Sequence, residues 1–120
     1  LNPQIEKLVQ IAQQPSRLIL GLMSGTSLDG LDMALCKFTG QGTETKCALL
    51  HFDSAPFDEP FKASIRAVFA QENIHFPSLS TLHAQIARTH AAIILETLKS
   101  WGIQPEEIDL IASHGQTVMH

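Results

Sequence analysis

The stretch that most constrains this chain is Gly21-Leu-Met-Ser-Gly-Thr-Ser-Leu-Asp-Gly-Leu-Asp-Met-Ala-Leu35. An apolar run from Leu18 to Met23 breaks at Ser24, Gly25, Thr26 and Ser27, then a second apolar run begins after Asp29 and Gly30. That pattern reads as strand, small-residue loop, strand. Asp-Gly between two strand-like runs is a hairpin signal, because tight hairpin turns need φ > 0 and glycine adopts it without steric penalty. A loop of Ser, Gly, Thr and Ser offers backbone N–H groups and hydroxyls to an oxygen-rich anion and leaves room for its approach.

The rest of the chain supplies the elements such a hairpin needs to pack against. Asn2-Pro3 followed by Ile5, Leu8, Val9 and Ala12 predicts a short amphipathic helix, stopped before Pro15. A first strand is expected from Arg17 to Met23, a second from Gly30 to Phe38, a turn over Thr39 to Gly42, and a third strand from Lys46 to Ser54. Tight connections imply an antiparallel meander. Asp58 caps a helix whose apolar stripe is Phe61, Ile65, Val68 and Phe69. Pro77-Ser78 opens a long helix from Leu79 to Trp101, ended by Gly102. Ile108 to Ala112 is a fourth strand, expected to be buried on both faces and parallel to the first. The order is β-β-β-α-α-β, an α/β chain with a mixed sheet. In such sheets ligands sit at the carboxyl ends of strands, where the loops after the first and fourth strands would both lie.

Bulk properties remove several function classes. At 120 residues the chain is one domain at most. A net charge of −4 and a pI near 5.8 leave no electrostatic footprint for nucleic acid or an anionic membrane. No apolar run approaches the roughly 20 residues of a membrane helix, and residues 1–7 lack the basic and apolar regions of a signal peptide. Cys36 and Cys47 are expected to be small buried thiols in a reducing cytosol rather than a disulfide. The absence of an initiator Met and the apolar run beginning at Gln116 suggest a fragment of a longer polypeptide.

Several residues could carry chemistry, and most have a bland reading beside the functional one. The loop from Ser24 to Gly30 is not a P-loop, since it lacks Gly-Lys-Ser/Thr and a strand follows it. It is either an anion-binding nest or a polar hairpin turn with no ligand. Asp29 is a natural turn residue. Asp32 shares a strand face with Ala34, Cys36 and Phe38, so its carboxylate must be solvated or paired. It could face a hydrated Mg²⁺ or fix a neighbouring loop. His114, between Ser113 and Gly115, fits a sugar or phosphate contact, or a turn capping the strand. His120 adds too little to suggest a metal. His83 and His90 lie two helical turns apart, too far to share a metal, and read as satisfied core or interface histidines. His51 and His75 form no pattern. Phe52, Phe57, Phe61, Phe69, Phe76 and Trp101 read as packing. No complete catalytic set is present.

With these residues in view, the chain resembles the anhydro-N-acetylmuramic acid kinases. Gly21 to Asp32 is similar to that family's N-terminal signature, and Ile108-Asp-Leu-Ile-Ala-Ser-His-Gly-Gln-Thr-Val-Met-His120 to its second. The other actin-like sugar kinases carry an Asp inside the first strand, where this chain has Met23 or Ser24. The resemblance implies the first part of an actin-like, ribonuclease-H-like domain over residues 17–120, incomplete at its C-terminal side, with the helix of residues 1–16 outside the family pattern. It implies a cytoplasmic transferase of cell-wall (peptidoglycan) recycling. Such a kinase uses ATP and Mg²⁺ to open the anhydro ring of its small-molecule sugar with water while phosphorylating O6, as a homodimer, with neither nucleic acid nor membrane as partner. Carried over, Gly25, Thr26, Ser27, Leu28, Asp29, Gly30, Leu31 and Asp32 form the ATP phosphate loop. His114, Gly115, Gln116 and Thr117 line the sugar side of the cleft, and the catalytic Asp lies beyond His120. Two other readings stay open: a related actin-like kinase of another sugar, and a non-catalytic actin-like binding or regulatory protein.

Overall fold

The computed structural model describes residues 2–119. Helix α1 (Pro3–Gln13) is followed by strands β1 (Ser16–Met23), β2 (Gly30–Thr39) and β3 (Lys46–Pro56), helices α2 (Glu59–Arg66) and α3 (Phe76–Trp101), and strand β4 (Leu110–Ser113). The four strands form one mixed sheet in the order β3-β2-β1-β4. β1 pairs antiparallel with β2 and β2 with β3, while β4 joins β1 in parallel. The start of that parallel pair is clasped by Asp109. Its N–H donates to the Leu18 carbonyl at 2.9 Å, and its carboxylate accepts the Leu18 N–H at 2.8 Å.

Strand periodicity places the core. Leu20 on β1 and Leu31, Met33 and Leu35 on β2 are each no more than 1% exposed and share the face covered by α2 and α3. From the helices come Phe61, Ile65, Leu82, Ile94 and Leu98. Fully burying such a side chain contributes about 1.5–3 kcal/mol. Asp58 caps α2 by accepting the Phe61 N–H at 2.8 Å. Gly102, at φ 72°, ends α3 in the left-handed conformation.

Several expectations need correction. β4 is not buried on both faces: with β3 it is one of the two edge strands among the described residues, and Ile111 is 55% exposed. Phe52 and Phe76 do not pack. Phe52 stands on the sheet face opposite α2 and α3, and Phe76 begins α3 in solvent. Cys47 is exposed and Cys36 half-buried on that same uncovered face. Ile5, Leu8 and Val9, the predicted apolar stripe of α1, are exposed, and Ile11 is its buried residue. α1 is held by its C-terminal end instead. The Arg17 guanidinium donates to the carbonyls of Ala12, Gln14 and Gly40, tying the helix to the β2–β3 turn. α3 begins at Phe76, before Pro77, because proline fits the first turn of a helix without losing a hydrogen bond. Val68 and Phe69 follow α2 in an irregular turn, with Val68 still buried.

Candidate functional site

β1 and β4 run parallel, so the segments after Met23 and Ser113 emerge at the same end of the sheet. The first is Ser24–Asp29. It is not a two-residue turn, and Gly30 is not its left-handed residue. That conformation falls on Leu28, at φ 58°, a backbone state unusual for a branched side chain. Leu28 is held there because its side chain is 4% exposed, within the core. Gly30 is required for a different reason: a Cβ there would lie 2.2 Å from the Ala55 carbonyl oxygen. The Asp29 carbonyl accepts the Phe57 N–H at 3.0 Å and anchors the loop to the end of β3.

The loop's outward side is polar and open. Thr26 and Ser27 are exposed, and a Cβ on Gly25 would meet no heavy atom within 4 Å. The N–H groups of Gly25, Thr26, Ser27 and Asp29 take no partner among the described residues. Such unpaired donors suit an anion. Leu28 and Leu31 have their side chains in the core, so only their backbone groups are open to a ligand. The Asp32 carboxylate accepts the Ser54 hydroxyl across the β2–β3 pair, on the sheet face away from α3. It is exposed and holds a strand neighbour rather than a loop.

The second segment, His114 to Thr117, meets the first at Ser24. Ser24 is 1% exposed. Its N–H donates to His114 Nε2 at 3.2 Å, and its hydroxyl donates to Gln116 Oε1. With Nε2 accepting, the neutral imidazole carries its proton on Nδ1. Gly115, at φ 79°, makes the turn between these partners, and its N–H donates to Ser113 Oγ at 3.0 Å. Gln116 Nε2 donates to the Thr117 carbonyl. The sequence pattern counts Ser24 among the residues that offer N–H and hydroxyl to an anion, but both its groups are taken by the second loop. A serine next to a glycine loop carries no signal that its partners lie 90 and 92 positions away.

Behind the second loop, a cavity of about 450 Å³ separates α3 from the ends of β1 and β4, lined by Leu22, Leu82, Ile86, His90, Ser113 and Gln116 among others. His90 is buried and stacks on Phe57 with ring centroids 5.9 Å apart. It is not satisfied as expected, for its Nε2 has no hydrogen-bond partner among the described residues. Burial, reinforced by nearby His114, lowers its pKa. His83 is exposed on α3, and His51 stacks on Trp101. Burial and the neighbouring Cys47 thiol raise the Cys36 pKa. Among the described residues no group of His, Cys, Asp or Glu gathers to hold a metal ion, and His120 lies outside them. No helix among them is long and apolar enough to cross a membrane.

Comparison with known proteins bears on the same two segments. The sequence model of the family described as anhydro-N-acetylmuramic acid kinase matches residues 17–120. Proteins of that name from Pseudoalteromonas translucida and Pseudoalteromonas atlantica are 45% and 42% identical over all 120 residues of this chain. One from Caldanaerobacter subterraneus is 37% identical over 97% of it. The chain spans about 30% of the length of these relatives. The family match includes both loops and every element from β1 to β4, and on that ground the chain belongs to the anhydro-N-acetylmuramic acid kinase family.

Proposed function

We propose that the full-length protein phosphorylates 1,6-anhydro-N-acetylmuramic acid with ATP and Mg²⁺, opening the anhydro ring with water to give N-acetylmuramic acid 6-phosphate. The observation that carries this reading is the meeting of the two loops at Ser24, at the ligand-binding end of the sheet, in a chain of this family. On this reading, residues 17–120 are the incomplete N-terminal part of an actin-like domain, with the helix of residues 1–16 outside the family pattern. The enzyme is cytoplasmic, where ATP and the recycled sugar are found together, and works as a homodimer.

The residues suit a phosphate group. Phosphoryl transfer needs positioning and charge stabilisation more than covalent chemistry. The free N–H groups of Gly25, Thr26, Ser27 and Asp29 and the Thr26 and Ser27 hydroxyls would hold the phosphates of ATP. Asp29 lies in that loop and Asp32, which accepts the Ser54 hydroxyl, three residues on; Mg²⁺ bound to phosphates needs only one or two carboxylates, keeping water elsewhere. ATP supplies the phosphoryl group that ends on O6. His114, whose Nε2 is occupied by Ser24, has Nδ1–H to offer a sugar oxygen, with Gly115, Gln116 and Thr117 beside it. Water adds to the anomeric carbon as the C1–O6 bond breaks, its proton passes to a carboxylate base expected beyond residue 120, and the freed O6 takes the γ-phosphoryl group as ADP leaves.

The test is ADP release by the full-length protein with ATP and Mg²⁺, with and without the anhydro-sugar, and mass spectrometry of the product in ¹⁸O-water. Sugar-dependent ADP release and one heavy oxygen at C1 are expected. Turnover with another sugar but not this one would move the protein to a related actin-like kinase. No sugar-dependent ADP release with any sugar would remove the kinase reading.

A further inference from the structure

We propose that Ser24 is a positioning residue that joins the two loops into one unit, so that occupancy of the phosphate side and the sugar side are energetically coupled through it. The inference rests on the kinase reading for what the two sides bind. Ser24 is 1% exposed, so no ligand reaches its hydroxyl. Its N–H and O–H are both spent on the second loop, one on His114 Nε2 and the other on Gln116 Oε1. The serine is buried at the centre of this small network while His114 is exposed and Gln116 half-buried, so the two bonds tie an accessible loop to a fixed point. Gly25, whose N–H is free for an anion, is the next residue along the chain. A displacement of His114 or Gln116 on sugar entry therefore reaches the phosphate donors across one peptide bond.

Among the described residues no other hydrogen bond does this. Asp29 ties its end of the loop to Phe57, on the β3 side, and Leu28 ties the middle to the core. Both fix the loop to the scaffold, and neither hydrogen-bonds to the second loop among the described residues. Ser24 alone among the hydrogen-bonded residues of the loop reaches the segment from His114 to Thr117.

The experiment uses the full-length protein and its Ser24→Ala, Gln116→Leu and doubly substituted forms. The dissociation constant of a non-hydrolysable ATP analogue with Mg²⁺ is measured with and without saturating anhydro-sugar, and the ratio is the coupling. A parent ratio of about 5 or more is expected, in the ordinary range for coupled sites. Ser24→Ala removes the hydroxyl tie to Gln116 and leaves the N–H tie to His114, so the ratio should fall by about half or more while the affinity for the analogue alone changes less than about threefold, and the double variant should couple no worse than either single one. Ser24→Thr, which keeps a hydroxyl, should retain part of the coupling. An unchanged ratio in Ser24→Ala, or a parent ratio of one, overturns the proposal. A second measurement needs no ligand: amide hydrogen exchange in Ser24→Ala should rise together over residues 25–29 and 114–118 and not in α2. A rise confined to the first loop overturns the joint. Failure of the parent protein to bind either ligand instead removes the kinase reading, and the exchange result then still decides whether Ser24 joins the loops.

Discussion

Gly25 and Gly30 bracket the same loop, yet the structure assigns them opposite sensitivities. At Gly25 an added Cβ meets nothing within 4 Å, and the backbone is not in the left-handed region. Folding should therefore accept Gly25→Val with a change of about 0.5 kcal/mol or less, as for other unconstrained surface positions. The same valine stands beside the free N–H groups of Gly25 and Thr26. Losing one preorganised donor to a transferring group typically lowers turnover about 10²- to 10³-fold, or roughly 2.7–4 kcal/mol. At Gly30 the Cβ would lie 2.2 Å from the Ala55 carbonyl oxygen and 2.9 Å from its carbon. Those are backbone atoms of a paired strand, so relief means spreading β2 from β3 where Gly30 pairs with Pro56. Overpacking of this kind costs about 1–3 kcal/mol, and Gly30→Ala should sit at the upper end because no side chain can swing aside. Urea unfolding and ADP-release kinetics on the two full-length variants separate these effects. Gly25→Val should keep the parent midpoint and lose kcat/KM for ATP about 10²-fold, whereas Gly30→Ala should lose midpoint first. Full activity in a folded Gly25→Val protein would refute the assignment of phosphate contacts to this loop. An unchanged midpoint in Gly30→Ala would refute the close approach of β3.

Three further outcomes follow from the same geometry. Asp58→Ala removes the cap on the Phe61 N–H and should destabilise the protein by about 1 kcal/mol, read from denaturant midpoints, with Asp58→Asn losing much less. His90 has its pKa lowered by burial and by His114, so its folded value lies below its unfolded one; the stability this neutral burial allows is fully present above the unfolded value, about 6.5, and is lost as pH falls from there through the folded value. His90→Phe should flatten that part of the stability–pH curve between pH 7 and 5, and a slope identical to the parent's would show that another group is responsible. Residues 1–120 made alone should show no sugar-dependent ADP release and should self-associate, because Leu95, Ile111 and Phe52 stand 55%, 55% and 59% exposed; a stable monomer at high concentration in sedimentation counts against the second expectation.

Local chemistry makes much of this protein legible in its sequence. The three antiparallel strands, the Asp58 cap and the Gly102 stop are set by alternation, capping and backbone conformation within a few residues, and each lies where those signals put it. The parallel return of β4 to β1 follows from the helical crossover between them. The two loops were legible as motifs for the same reason, being short runs of residue types with a recognisable chemistry. What needed the tertiary structure was every relation across long sequence separation. Alternation states which side of a strand a residue takes and not whether anything covers that side, so Phe52, Cys47 and Ile111 were expected inside and stand exposed. Composition marks a glycine and not its cause, and Gly30 is required by a neighbouring strand's carbonyl while the left-handed turn falls to Leu28. Ser24 is the plainest case. Its neighbours in sequence are loop residues, but its neighbours in space are His114 and Gln116, brought to it only because β4 pairs parallel with β1 and ends at the same edge of the sheet.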